Sequence, residues 1–237
     1  MQKKYLTIYD DIRKKMKEND WRETDMLPSE NELSIMYGTS RETIRKALNL
    51  LSQNGYIQKV RGKGSIILAM DKFSFPVSGI ASFKELTKML DMQSRTYVQE
   101  LSLAKADEAM RKILDPAEEE LVWKVVRVRE LDGEKVILDK DYFKQGIVNS
   151  LTKDICEDSI YAYLEQELHL DISYANKEIT VESPTEEDME LMDMTGFSNV
   201  VVIKSIVHLN NTEVFQYTES RHRPDKFRFV DFARRHG

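Results

Sequence analysis

Apolar residues in the first 70 positions recur at helical and then at alternating spacing, with Pro and Gly marking the breaks. Leu6, Ile8, Ile12 and Met16 stand among charges over residues 5–19, a spacing nearer to helix than to strand. Pro28 then intervenes, and Ser29 with Glu32 forms a capping box. A second helix is predicted from Ser29, with Leu33, Met36 and Tyr37 as its apolar face and Gly38 as its end. After the short Gly38-Thr39-Ser40 turn, Thr39 and Glu42 make a second box. The third helix that follows has Ile44, Leu48 and Leu51 as its buried stripe, and Gly55 stops it. Ile57–Val60 reads as a strand, Arg61-Gly62-Lys63-Gly64 as a tight basic turn, and Ser65–Leu68 as the return strand.

Three helices and a hairpin complete one small domain, residues 1–70. Linker-like sequence begins at 69; residues 71–81 are taken as the linker and 82–237 as a second domain. There the pattern mixes: strands at 121–131, 134–143, 174–182, 200–209 and 213–222, helices at 159–168 and 185–194, and a turn at Asp132-Gly133. Without strict alternation of strand and helix, the expected class is α+β with a largely antiparallel sheet.

The net charge of −6 weighs against nucleic acid only on average. Residues 1–70 hold 13 Lys/Arg against 9 Asp/Glu, a net of +4, and the other 22 and 32 leave −10. A basic head on an acidic body points to DNA contact at one end. Cys156 is the sole cysteine and reads as a buried thiol, so no intrachain disulfide forms. His169, His208, His222 and His236 lack metal-ligand spacing, and neither a metal nor a cofactor is expected. Lys3 and Lys4 are not followed by an apolar leader, and no apolar run nears the roughly 18–20 residues of a membrane span. The expected compartment is the cytoplasm, with no membrane partner.

Two short helices joined by a three-residue turn form a helix-turn-helix. The second carries Arg41, Thr43 and Arg45 in its first turns, away from the Ile44/Leu48 stripe, where a recognition helix needs long donors for base edges. The hydroxyls of Ser29 and Thr39 suit phosphate oxygens, and the wing adds Arg61 and Lys63 around Gly62. Between residues 39 and 64 there are six basic residues and one acid, Glu42. An ordinary solvated face would not also supply the caps, turn length and basic hairpin in this order.

In the second domain, Arg127 and Arg129 lie two apart on one strand, on a face shared with Trp123 and Val125. Burying paired guanidiniums requires an anionic partner. Two partners are open: a phosphate bound bidentately, or the carboxylates of Asp139, Asp141 or Glu130. Register matters as well. A two-residue Asp132-Gly133 turn pairs Arg127 with Leu138 and turns Asp139 to the opposite side, whereas a three-residue bulged loop brings Asp139 opposite Arg127. Ser82-Phe83-Lys84-Glu85 opens a helix whose free N–H groups could join an anion site. Glu178, Glu182 and Glu219 are the carboxylates an enzyme reading would use; they read more simply as solvated side chains.

Leu27-Pro28-Ser29-Glu30, Ser40-Arg41-Glu42-Thr43-Ile44-Arg45-Lys46-Ala47-Leu48 and Gly62-Lys63-Gly64 resemble the signature of the GntR regulators over residues 5–68. Relatives often place a base-contacting arginine where Asn31 stands; asparagine weakens that contact or redirects it toward adenine. Residues 75–235 resemble the UTRA domain of the HutC branch, similar in fold to chorismate lyase. That resemblance implies a winged helix-turn-helix repressor whose DNA contacts are Ser29, Asn31, Thr39, Ser40, Arg41, Thr43, Arg45, Arg61, Gly62 and Lys63. It implies a phosphate held by Ser82, Phe83 and Lys84 with Arg127 and Arg129, and a sugar met by Asp139, Ser159, Tyr161, Gln216 and His222. Many members have Glu at the positions of Asp139 and Gln216 and Tyr at that of His222, so the sugar differs here.

The stretches Val136–Phe143 and Phe215–Arg223 and the ending Asp225–Arg235 resemble trehalose-responsive members. The implied regulator is a homodimer on palindromic operator DNA that controls a trehalose operon and is released by the phosphosugar trehalose 6-phosphate, with residues 69–81 transmitting the change. The alternatives are another effector, such as an amino-sugar phosphate, and a lyase-like enzyme.

Overall fold

The computed structural model describes residues 4–17, 21, 25–60, 62–68, 83, 84, 87 and 93–229. The chain divides into two compact units that part after Lys72. Arg61, Ser82 and the whole 69–81 segment lie outside the described residues.

The first unit contains α1 (Lys4–Lys17), α2 (Glu30–Met36), α3 (Arg41–Gln53), β1 (Ile57–Val60) and β2 (Gly64–Ile67). Its core joins Ile8, Ile12 and Met16 of α1 to Leu33, to the Ile44/Leu48/Leu51 stripe, and to Ile57 and Ile67 of the hairpin. Burying each such side chain contributes roughly 1.5–3 kcal/mol, which holds the short α2 against an otherwise unfavourable length. Ser29 is the N-cap of α2 instead of its first helical residue. The box is as expected: the hydroxyl of Ser29 accepts Glu32 N–H at 3.3 Å, and Ser29 N–H donates to Glu32 Oε2 at 2.7 Å.

Two local expectations are corrected. Ser40, not Thr39, caps α3: its hydroxyl accepts Thr43 N–H at 3.3 Å, while Thr39 N–H closes the previous turn onto the Ser34 carbonyl. Met36 is not core but 54% exposed, beside Ile35 at 81%, because seven-residue α2 buries only Leu33 fully and leaves Tyr37 half-buried.

The second unit is a six-stranded antiparallel sheet in the order β3-β4-β5-β8-β7-β6. Its strands are β3 (Ser94–Lys105), β4 (Leu121–Leu131), β5 (Glu134–Lys144), β6 (Ile172–Glu182), β7 (Val200–Leu209) and β8 (Val214–His222). The helices are α4 (Glu108–Leu114), α5 (Lys153–Asp158), α6 (Ile160–Gln166) and α7 (Glu186–Leu191). The α+β antiparallel class is as expected. The helix expected at 159–168 is α6, with Ser159 as its N-cap through Ala162 N–H; the same residue, in extended conformation, ends α5 before it. No element was expected for β3, α4 or α5.

Alternation along the strands sorts side chains onto two faces. On one, Val125 and Phe143 pack with Cys156 of α5 and with Ile160 and Leu164 of α6. On the other, Val126, Val128 and Leu138 pack with Met192, Met194 and Val202 beneath the α7 segment.

The hairpin register follows neither of the two simple alternatives. The turn is two residues, with Leu131 opposite Glu134, yet Arg129 lies opposite Ile137 and Arg127 opposite Asp139. Val136 is the extra residue of a bulge inside β5. Tertiary partners hold it: Lys135 N–H donates to Asp193 Oδ2 at 2.7 Å, Asp193 N–H returns to the Lys135 carbonyl at 2.8 Å, and the Val136 carbonyl accepts Arg223 N–H at 2.9 Å.

Candidate nucleic-acid interface and effector site

In the first unit the charged face of α3 is outward: Arg41, Arg45 and Lys46 are exposed, Thr43 is half-buried, and Ile44 beneath them is sealed. Arg41 and Arg45 stand one turn apart, 3.8 and 3.5 Å from one oxygen of Glu30 at the start of α2. Ser29, Asn31, Ser40 and Thr39 cluster at the N-terminal ends of α2 and α3, where backbone N–H groups and the helix dipole favour phosphate. Asn31 is exposed and Thr39 half-buried. The wing turn carries Gly62 and Gly64 at φ +79° and +99°, a conformation that side chains resist, and Lys63 between them is exposed. These features place long donors, hydroxyls and a thin basic turn on one unit.

The second site is a buried polar belt across β4, β5 and β8. Arg127 donates from Nη2 to Asp141 at 2.6 Å and from Nη1 to the Cys156 carbonyl at 3.3 Å. Arg129 donates from Nε to Asp139 at 2.6 Å and from Nη1 to Thr96 at 3.0 Å. The carboxylate alternative therefore describes the arginines in this structure, with Asp139 and Asp141 as partners. Glu130 is not one of them; it accepts from Tyr97 at 3.0 Å. Both pairs are nearly sealed from solvent. Burial alone would raise the Asp139 carboxyl, but Arg129, Arg127 and the Ser220 hydroxyl outweigh it and hold it at about 2.

The remaining residues attach to this tetrad. Gln216 Nε2 donates to the second oxygen of Asp141 at 2.9 Å, and Gln216 Oε1 accepts from the Tyr161 hydroxyl at 2.9 Å. Ser220 donates to Asp139 and bonds His222 Nε2 at 2.8 Å. Ser159, also buried, caps the helix that carries Tyr161. The Phe83 ring lies 4.3 Å from the Arg129 guanidinium, and Lys84 is ion-paired with Asp158. Of the expected effector residues, Arg127, Gln216 and Tyr161 are linked by hydrogen bonds through Asp141, and Arg129, Asp139 and His222 are linked with Ser220 in a second chain beside it; Phe83 touches Arg129, and Ser159 and Lys84 make helix-cap and ion-pair contacts nearby.

Ser220, Thr96 and the Cys156 carbonyl were not expected at the site, and Asp141 was expected only as a partner of the arginines, not as an effector contact. Ser220 carried a signal, lying one alternation from His222. Thr96 and the carbonyl had none, since β3 and α5 were not anticipated. Glu182 and Glu219 are engaged by Arg221 at 3.4 and 2.9 Å, while Glu178 is exposed, so no pair among them resembles an acid–base dyad.

Among the described residues, Arg127 Nε is one of two buried side-chain polar atoms without a hydrogen-bond partner. A buried donor left so costs about 1–3 kcal/mol, and an acceptor arriving with a ligand would recover it. Burial pushes the Cys156 thiol up to about 11; it is a packing residue, not a nucleophile. Burial also pushes the His222 imidazole down to about 4, Arg129 adding to the shift and Asp139 opposing it. A histidine lowered on folding contributes stability above its unfolded value, near 6.5, and loses it as the pH falls toward 4. The loss should reach about 3 kcal/mol. Denaturant titrations at pH 7 and pH 4.5 should show it, and His222→Gln should flatten the difference between them.

Residues 4–67 match the bacterial regulatory proteins of the gntR family, and residues 90–228 match the UTRA domain. The chain is 54% identical over 232 residues to the HTH-type transcriptional regulator TreR of Bacillus subtilis (strain 168), covering 98% of each chain. A solved structure of the effector-binding domain of the B. subtilis trehalose repressor TreR aligns with a TM-score of 0.56 at 53% identity, covering 60% of this chain and 99% of that one. The possible transcriptional regulator YydK of B. subtilis subsp. subtilis str. 168 aligns with a TM-score of 0.81 at 27% identity, over 98% and 99%. With an N-terminal winged helix-turn-helix and a C-terminal UTRA domain, the chain belongs to the GntR family of bacterial transcription regulators.

Proposed function

We propose that this regulator represses genes for trehalose use and is released from its operator by trehalose 6-phosphate bound at the polar belt. The observation that carries the reading is the 54% identity to TreR along 98% of both chains, which spans the α3 face and the belt alike. The orphan Arg127 Nε supports an oxyanion ligand, and Gln216, Tyr161 and His222 supply the mixed donors and acceptors that sugar hydroxyls need. Because Asp139 and Asp141 already neutralise the arginines, a phosphate enters by exchange of partners. Its affinity is therefore a difference between two anions, not the full strength of a bidentate pair.

The regulator acts as a cytoplasmic homodimer in this reading, each head taking one half of a palindromic site. The outer edge of β6 supports a second copy as partner. Among the described residues that edge is unpaired, and Tyr174, Ile179 and Val181 on the strand are exposed. No helix of the described residues is long and apolar enough to cross a membrane.

The test is an anisotropy titration at fixed salt on operator DNA selected from random sequence, with sedimentation of the complex. Two chains per operator are expected, with release by trehalose 6-phosphate and none by trehalose. A 100-fold loss of affinity corresponds to about 2.7 kcal/mol of coupling between the sites. Release by a different phosphosugar would overturn the inducer, and failure to select any operator would overturn the DNA reading.

A further inference from the structure

The most telling contact outside the belt is between an acid and the two outward arginines of α3. Glu30 opens α2, and its Oε2 lies 3.5 Å from Arg45 Nη2 and 3.8 Å from Arg41 Nη2. The carboxylate is only 29% exposed, whereas the arginine side chains are 55% and 59% exposed. Lys59 of β1 senses the same group: burial pushes its ammonium down, Glu30 opposes that and Arg45 adds to it. Arg41 and Arg45, four residues apart on one helix, would repel each other without an intervening anion. One carboxylate is thus set among the cations that a DNA phosphate would otherwise attract.

We propose that Glu30 is a specificity-determining residue, an internal anion that competes with DNA phosphates for Arg41 and Arg45 and so suppresses binding to random sequence. The inference rests on the reading of α3 as the DNA-reading helix. Sequence-independent affinity comes from cations replacing counterions on the backbone, and each phosphate neutralised adds about 0.9 to the salt slope. An arginine held by Glu30 contributes little to that term. At the correct site the base edge offers directed acceptors such as guanine O6 and N7, and a bidentate contact there contributes about 1–3 kcal/mol, enough to draw the guanidinium off a partly exposed carboxylate. Random DNA offers no such compensation, so the carboxylate lowers the unwanted affinity more than the wanted one.

The experiment uses the full chain and compares Glu30→Gln with Glu32→Gln. The second change removes the same charge from the same helical turn, and glutamine can still complete the capping box with Ser29. Affinity for operator and for random duplex is measured from 50 to 300 mM salt. Glu30→Gln should tighten random binding about 3–10-fold and steepen its salt slope by about one, with operator affinity changed less than about 2-fold. Glu32→Gln should produce a clearly smaller change. Equal effects of the two variants would overturn the proposal in favour of bulk charge, as would weakened operator binding with random binding unaltered. Arg45→Ala, run alongside, separates the premises: intact operator binding in that variant would mean that α3 is not the reader, whatever Glu30 does.

Discussion

The double substitution Arg127→Met/Asp141→Asn is expected to leave folding and operator binding near those of the unaltered protein while abolishing release by the phosphosugar. The single change Arg127→Met is the less informative one. It strands the Asp141 carboxylate, 5% exposed, without its guanidinium, and breaking one side of a buried pair costs about 3–5 kcal/mol. Removing both charges together avoids that penalty, because replacing a buried pair with uncharged groups of like volume is often neutral. The introduced asparagine retains an oxygen for Gln216 Nε2, which bonds Asp141 at 2.9 Å, so the link to Tyr161 survives. What disappears is the cation at the centre of the belt. Loss of a charge-assisted contact of this kind should weaken phosphosugar binding by about 100-fold or more. Calorimetry gives the affinity, thermal melts the stability, and anisotropy the retained operator binding. Normal release from a well-folded double variant would sink the assignment of the belt as the effector site.

Arg45→Ala carries the second large effect. Arg45 points outward from α3 with its side chain 55% exposed, and its ion pair is with half-covered Glu30. Surface pairs of this kind contribute at most about 1 kcal/mol, so the melting temperature should scarcely move. Operator affinity should fall by roughly 10–100-fold, the range expected for one bidentate base contact. Binding to random duplex should fall much less, and the preference at one operator position should relax. A uniform loss on all sequences, with the salt slope reduced by about one, would instead make Arg45 a phosphate contact.

Much of the DNA-binding unit was legible because its determinants are local. A capping box needs a hydroxyl and a carboxylate three residues apart; the α3 stripe needs apolar residues on one helical face; the wing turn needs glycines at positive φ. Ser29/Glu32, Ile44/Leu48/Leu51 and Gly62/Gly64 meet these conditions within a few residues each. Where two hydroxyls compete, local sequence is ambiguous. Thr39 and Ser40 can both cap; in the structure the Ser40 hydroxyl accepts Thr43 N–H, and Thr39 belongs to the turn that closes α2, its N–H donating to the Ser34 carbonyl.

The second unit was legible in class and in its central strands, and less so at its margins. β3 has no clear strand signature, because a bulge between Val98 and Glu100 breaks its alternation and none of its side chains is fully buried. Ser82 and Arg61 remain expectations from the sequence, since both lie outside the described residues.

By itself the sequence determined that a basic helix-turn-helix head precedes an acidic α+β domain, and that two arginines share one face of a strand beside candidate acids. Those properties follow from spacing and composition, which act over one turn of helix or one step of strand. Only the tertiary structure decided which anions the arginines hold. That choice depends on a one-residue bulge at Val136, secured by Asp193 and Arg223 from distant parts of the chain. A shift of one residue in pairing moves Asp139 from one face of the sheet to the other, and no turn propensity at Asp132-Gly133 encodes it.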